Sequence, residues 1–170
     1  MTERIELGTT VTVLPCRNPL LTARVAANID RFSDGRLILG GGAGRAEREF
    51  EALGVPFGER GAITDEYPTA THRLWERREA SFSGEYISFR DVAAAPRPVR
   101  EPHPPIWVGG SSRAAIRRAV RHGTAWHPVF PTLDWLPVLR ATPEQDQRTL
   151  EALAEHVLDL AAEAPRQQPR

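Results

Sequence analysis

An α/β fold with parallel strands is what this 170-residue sequence predicts, on three observations. Two apolar runs, Leu37-Ile38-Leu39 and Ile106-Trp107-Val108, lack polar alternation, as strands buried on both faces do. Each runs directly into glycines, Gly40-Gly41-Gly42-Ala43-Gly44 and Gly109-Gly110-Ser111-Ser112. Each glycine cluster is followed by a segment with helical periodicity, so the chain reads as repeated βα units.

The elements follow in order. Ile5 to Val13 is rich in β-branched residues and reads as the first strand. Asn18-Pro19 is a helix start, Asn at N-cap and Pro at N1. Leu21, Val25, Ile29 and Phe32 then fall on one face, the apolar stripe of an amphipathic helix that Asp34-Gly35 ends. Arg36–Gly40 is the second strand. Ala46, Phe50 and Leu53 mark a short helix closed by Gly54. A longer helix is expected from about Glu59 to Arg77, with Ile63, Tyr67 and Leu74 on its apolar side and a kink at Pro68.

Phe82 to Phe89 reads as a hairpin turning at Ser83-Gly84-Glu85, placed outside the parallel sheet with the proline-rich loop 96–105. Pro105–Gly109 is the third strand. Ser111 or Ser112 caps a helix with Ile116, Ala119 and Val120 inward and Arg113, Arg117 and Arg121 outward. Thr124–Val129 is the fourth strand. Pro131 to Leu139 is ambiguous. Thr142-Pro143-Glu144-Gln145 opens a last helix carrying Leu150, Leu153, Val157 and Leu160. The expected organisation is a barrel-type domain over 1–140, with 78–104 inserted, and a C-terminal helix and tail over 141–170.

Composition narrows the function classes. Apolar residues make up 41% of the chain, as in a globular protein. Zero formal net charge argues against nucleic acid or an anionic membrane as partner. All 22 basic residues are arginine, so chemistry that needs a lysine in the site is excluded. Cys16 is the sole cysteine, which rules out an intramolecular disulfide and suits a reducing compartment. No apolar stretch is long enough to span a bilayer, and Met1-Thr2-Glu3-Arg4 leads straight into a strand, so a cytoplasmic protein is expected. The five histidines show no metal-ligand spacing, and no serine–histidine–acid order stands out.

Glycines at strand ends let a ligand approach the backbone, and the helix behind them presents free N–H groups to an anion. Gly109-Gly110-Ser111-Ser112 thus reads as a phosphate loop, or as an ordinary helix cap. His127, at a strand end, reads as structural rather than as a catalytic acid.

Several short motifs in fixed order carry a family resemblance. They are Glu3-Arg4-Ile5-Glu6-Leu7-Gly8-Thr9, Arg17-Asn18-Pro19-Leu20-Leu21, Asp34-Gly35-Arg36-Leu37-Ile38-Leu39-Gly40 and Glu49-Phe50-Glu51-Ala52-Leu53-Gly54. Asp65-Glu66-Tyr67, Pro104-Pro105-Ile106-Trp107-Val108-Gly109-Gly110 and Trp126-His127-Pro128 complete the set. Together they resemble the bacterial luciferase-like oxidoreductases, and most closely the branch that uses coenzyme F420, a deazaflavin.

The resemblance implies a (β/α)8 TIM barrel of which this chain carries about four parallel strands, corresponding to strands three to six. It therefore also implies an internal piece or a truncated gene product, weakly stable and self-associating. It implies coenzyme F420, or alternatively FMN, hydride transfer to or from an organic substrate, possible monooxygenation, and homo-oligomers. Cofactor contacts are implied at Thr10, Val11, Gly40, Gly41, Gly42, Gly44, Gly109, Gly110, Ser111 and Ser112, with a non-prolyl cis peptide at Thr10-Val11. No catalytic residue is implied: Arg45 departs from the acidic or aromatic residue common there, and Cys16 stands where relatives often have an aromatic. The competing expectation is a non-catalytic remnant that keeps part of a phosphate site.

Overall fold

The structure is a computed structural model and describes residues 3–129. The ambiguous stretch 131–139 and the C-terminal helix expected from Thr142 lie outside the described residues.

Its centre is a parallel sheet. Strand β1 (Leu7–Gly8) and strand β2 (Thr12–Val13) both pair with β3 (Leu37–Gly42). Strand β3 pairs with β6 (Ile106–Gly109), and β6 with β7 (Ala125–His127). Every pairing is parallel, and sheet order follows chain order, as right-handed βαβ crossovers require. The antiparallel hairpin β4 (Glu79–Ser83) and β5 (Ser88–Ala93) forms its own sheet, as its alternation suggested. All six residues of β3 are buried, the doubly covered strand that the unbroken apolar run called for.

Helix α1 (Pro19–Phe32) starts as expected: the Asn18 side chain accepts from the N–H groups of Leu20 and Leu21. Its packing face differs from expectation. Ala23, Ala26, Ala27 and Asp30 are buried, whereas Leu21, Val25, Ile29 and Phe32 are exposed, Phe32 at 90%. The alanines let α1 approach Trp75, Leu37 and Leu39 closely, and a larger side chain at those positions would hold it off. Trp75 Nε1 reaches between the elements to donate to Ala23 O at 3.0 Å.

Helix α2 (Glu47–Leu53) ends at Gly54 in the left-handed region (φ 67°). Helix α3 (Arg60–Glu76) runs through Pro68, burying Tyr67 and Leu74 as the periodicity required. Glu66 on α3 anchors the hairpin: its carboxylate accepts from the N–H groups of Glu85, Tyr86 and Ile87.

Helix α4 (Arg113–His122) keeps Arg113, Arg117 and Arg121 outside, but buries Arg118. Arg118 Nε donates to Asp65 Oδ1 at 2.7 Å and Nη2 to Gly61 O at 3.0 Å, tying α4 to α3. Among the described residues no helix is long and apolar enough to cross a membrane.

Behind α3 the rings of His72 and His103 stack at 4.1 Å, beside Trp75. Nε2 of His72 is buried with no hydrogen-bond partner among the described residues. Burial, then the neighbouring His103 and His122, lowers the His72 pKa to about 4. Between about pH 6.5 and pH 4 the unfolded chain therefore takes up a proton that the folded one refuses. Stability falls with pH across that window, is unaffected by His72 above it, and has lost the full amount below it. Comparing denaturant unfolding of wild type and His72→Leu from pH 7 to 4 should give the variant the shallower slope. Parallel slopes would contradict this account.

Candidate cofactor site

The expected single strand Ile5–Val13 is in fact two, because its two ends meet β3 in different registers. Gly8 pairs with Ile38 and Thr12 with Gly41, so four steps on one strand oppose three on the other. One extra residue bulges out between them. The Thr10–Val11 peptide within the bulge is cis.

The bulge lies over one face of the sheet. Side chains alternate along a strand, so Leu37 and Leu39, which pack among the helices, place Ile38, Gly40 and Gly42 on the opposite face. Trp107 is paired with Gly40, and Gly109 with His127, so these share it. The Trp107 and His127 rings lie 6.4 Å apart there. Thr9 Oγ1 donates to Gly40 O at 2.7 Å. Val11 rests on Gly42 and Gly109: a Cβ on either would stand 3.0 Å and 2.6 Å from its methyl groups.

The glycine cluster thus divides. Gly40, Gly42 and Gly109 face the bulge, Gly40 against Thr9 and the other two against Val11. Gly41 instead makes room for Leu14, and Gly44 (φ 78°) for Val13 and Phe50. Contact with the chain itself, more than openness to solvent, accounts for every glycine in the run 40–44 and for Gly109.

The second cluster is next to it. Gly110 N–H donates to His127 O at 3.1 Å, and Gly110 O accepts from Trp126 Nε1 at 2.7 Å. Ser111 Oγ donates to Val129 O at 2.5 Å and accepts from Val129 N–H at 3.0 Å. Ser112 is the N-cap of α4 and accepts from Ala115 N–H at 3.2 Å. Ser111 Oγ both donates and accepts within the fold, whereas Ser112 Oγ only accepts, so what the loop offers an anion is the Ser112 O–H and the backbone at the start of α4. No acidic residue stands in that first turn.

A cleft of about 560 Å³ opens beside the bulge, lined by Thr10, Thr12, Cys16, Arg17, Glu49 and Leu53 among others. Cys16 is half-buried; desolvation pushes its thiol pKa up, the Glu49 carboxylate adds to this, and Arg17 opposes it. Among the described residues no cluster of three or more metal-ligating side chains exists.

The sequence pattern of the luciferase-like monooxygenases matches residues 1–165. The chain belongs to that family. An FMNH2-dependent dimethylsulfone monooxygenase of Pseudomonas putida is 37% identical over 107 residues, 61% of this chain and 30% of that protein. An uncharacterized protein of Mycobacterium tuberculosis is 37% identical over 111 residues, 65% of this chain and 39% of that one. The monooxygenase RslO1 of Streptomyces bottropensis superposes with a TM-score of 0.70 at 28% identity, over 97% of this chain and 48% of that one. An F420-dependent secondary alcohol dehydrogenase solved with an F420–acetone adduct superposes with a TM-score of 0.73 at 21% identity, over 92% of this chain and 46% of that one, a likeness of fold. The chain spans under half the length of each of these relatives. Its parallel sheet is a part of the luciferase-like barrel architecture, and among the described residues the sheet does not close.

Proposed function

We propose that this chain is the cofactor-holding part of a luciferase-like oxidoreductase that takes coenzyme F420 or FMN. One observation carries the reading: the Thr9–Val11 bulge sits at the C-terminal ends of β3 and β6, where Val11 packs on Gly42 and on Gly109, the residue from which the chain turns into α4. Ligands of open and closed α/β sheets bind at that end of the strands.

The residues present suit such a group. A phosphorylated tricyclic cofactor needs a flat apolar support and anion donors a short distance away. Val11, Ile38 and Trp107 line the glycine face, and α4 offers backbone N–H groups and the positive end of its dipole. When bound, the cofactor supplies hydride transfer to or from an organic substrate, or oxygen activation if it is FMN. The chain's part is to support the ring on Thr10 and Val11, fix the phosphate at Gly110–Ser112 and the first turn of α4, and keep water from the covered face. The cofactors of the FMNH2-dependent monooxygenase and the F420-dependent dehydrogenase that the chain is similar to support the choice between these two and favour neither.

The test is a titration of the purified chain into FMN and into F420, each oxidised and reduced, followed by visible absorbance and fluorescence. A saturable spectral change with one cofactor is expected, and none with either sinks the reading. Gly110 is a poor probe because its φ of 125° strains any side chain placed there. Ser112→Asp is a better one. Aspartate caps a helix as well as serine does, so unfolding should be unchanged, while its charge repels a phosphate and should cost about tenfold in affinity. Unaltered binding would move the phosphate elsewhere.

A further inference from the structure

We propose that Gly42 and Gly109 are positioning residues which act on the cofactor through Val11 rather than by touching it. The inference rests on the cofactor reading above and assigns the glycines a different part in it. The two lie on neighbouring strands, β3 and β6, and on the same face of the sheet. A Cβ on Gly109 would meet Val11 Cγ1 at 2.6 Å, Cγ2 at 3.1 Å and Cβ at 3.3 Å. A Cβ on Gly42 would meet Val11 Cγ2 at 3.0 Å and the Gly109 carbonyl oxygen at 3.5 Å. Two missing side chains therefore form one socket, and both branches of Val11 occupy it.

The one-residue bulge is what makes the fit possible. In an unbroken β1–β2 strand the residue next to Thr12 would keep the register of the pleat; the extra residue lets Val11 turn over the sheet. A β-branched side chain has few rotamers to choose from, so a filled socket fixes its position. The height of Val11 above the sheet then sets where a planar ring can rest. Gly109 is the more demanding contact and Gly42 the milder one.

The experiment is a double-mutant cycle on Val11→Ala and Gly109→Ala, with Gly42→Ala as the gentler companion. Each full-length variant is titrated with FMN and F420 and unfolded thermally. Gly109→Ala alone should weaken cofactor binding about tenfold, Gly42→Ala less, and adding Val11→Ala to Gly109→Ala should restore affinity to within about threefold of Val11→Ala. Thermal unfolding should show the same relief, the double variant melting above Gly109→Ala. If stability recovers but binding does not, the glycine meets the cofactor itself and the proposal is overturned. If neither recovers, the socket does not exist. Should wild type bind neither cofactor, the cofactor reading fails on its own, and relief in the melting temperatures still decides the socket.

Discussion

Gly40→Ala should cost about 3 kcal/mol or more of folding stability, measured by denaturant unfolding, although the change adds a single methyl group. Gly40 sits in the middle of β3, with Trp107 of β6 on one side and the bulge between β1 and β2 on the other. The new Cβ would overlap the carbonyl oxygen of Thr9, and a backbone atom cannot swing aside as a side-chain tip can. Thr9 is moreover held in place by its own bonds. Its N–H donates to Ile38 O at 3.3 Å and its Oγ1 to Gly40 O. Relief would require lifting the bulge off β3, which gives up those bonds and the pairing of β1 and β2. Gly58→Ala is the matched control: it has nothing within 4 Å of the added carbon and no left-handed φ. That change should be neutral or stabilise by up to about 1 kcal/mol through the unfolded chain. Similar unfolding of the two variants would show that the bulge yields more easily than its contacts suggest.

The contrast between these glycines marks what was legible in the sequence. An unbroken apolar run before glycines is enough to place β3 and β6 at the centre of a parallel sheet, because only a doubly covered strand tolerates that composition. The hairpin was legible for the opposite reason, its alternation. Sequence could not say what the glycines make room for, since that depends on a register offset of one residue between β1 and β2. The packing face of α1 was misjudged on similar grounds. Leu21, Val25, Ile29 and Phe32 form the stronger apolar stripe, but alanines permit the closer approach, and close approach decided the face. That Ser111 Oγ is held by Val129 and that Ser112 Oγ accepts from Ala115 could not be read from the motif, because those backbone partners are set by the fold. Buried charges escaped altogether: nothing in the sequence around Arg118 separates it from the outward-facing arginines beside it, yet it is buried against Asp65.

Asp30 is the other buried charge that periodicity hides, and Asp30→Ala should destabilise the fold by about 3 kcal/mol. The residue is fully buried on the inner face of α1. Its Oδ2 accepts from Val99 N–H at 2.8 Å and from Arg100 N–H at 2.9 Å, so one carboxylate pins the proline-rich segment to α1 across about 70 residues of sequence. That segment leads into β6, and neighbouring contacts converge on it: Arg24 donates to Ala93 O, Arg31 to Arg97 O, and Arg97 to Trp75 O. None of these arginine contacts replaces the acceptor that Asp30 provides. Alanine would leave two backbone N–H groups without a partner in a half-buried place, a loss larger than that of the bonds themselves. Asp30→Asn separates the possible causes, because its amide oxygen can still accept both bonds while the charge is gone. Asparagine should cost about 1 kcal/mol, and alanine clearly more, in the same unfolding assay. Equal losses for the two would mean that the charge, through its field on the surrounding arginines, holds the segment, and that the paired N–H groups matter little.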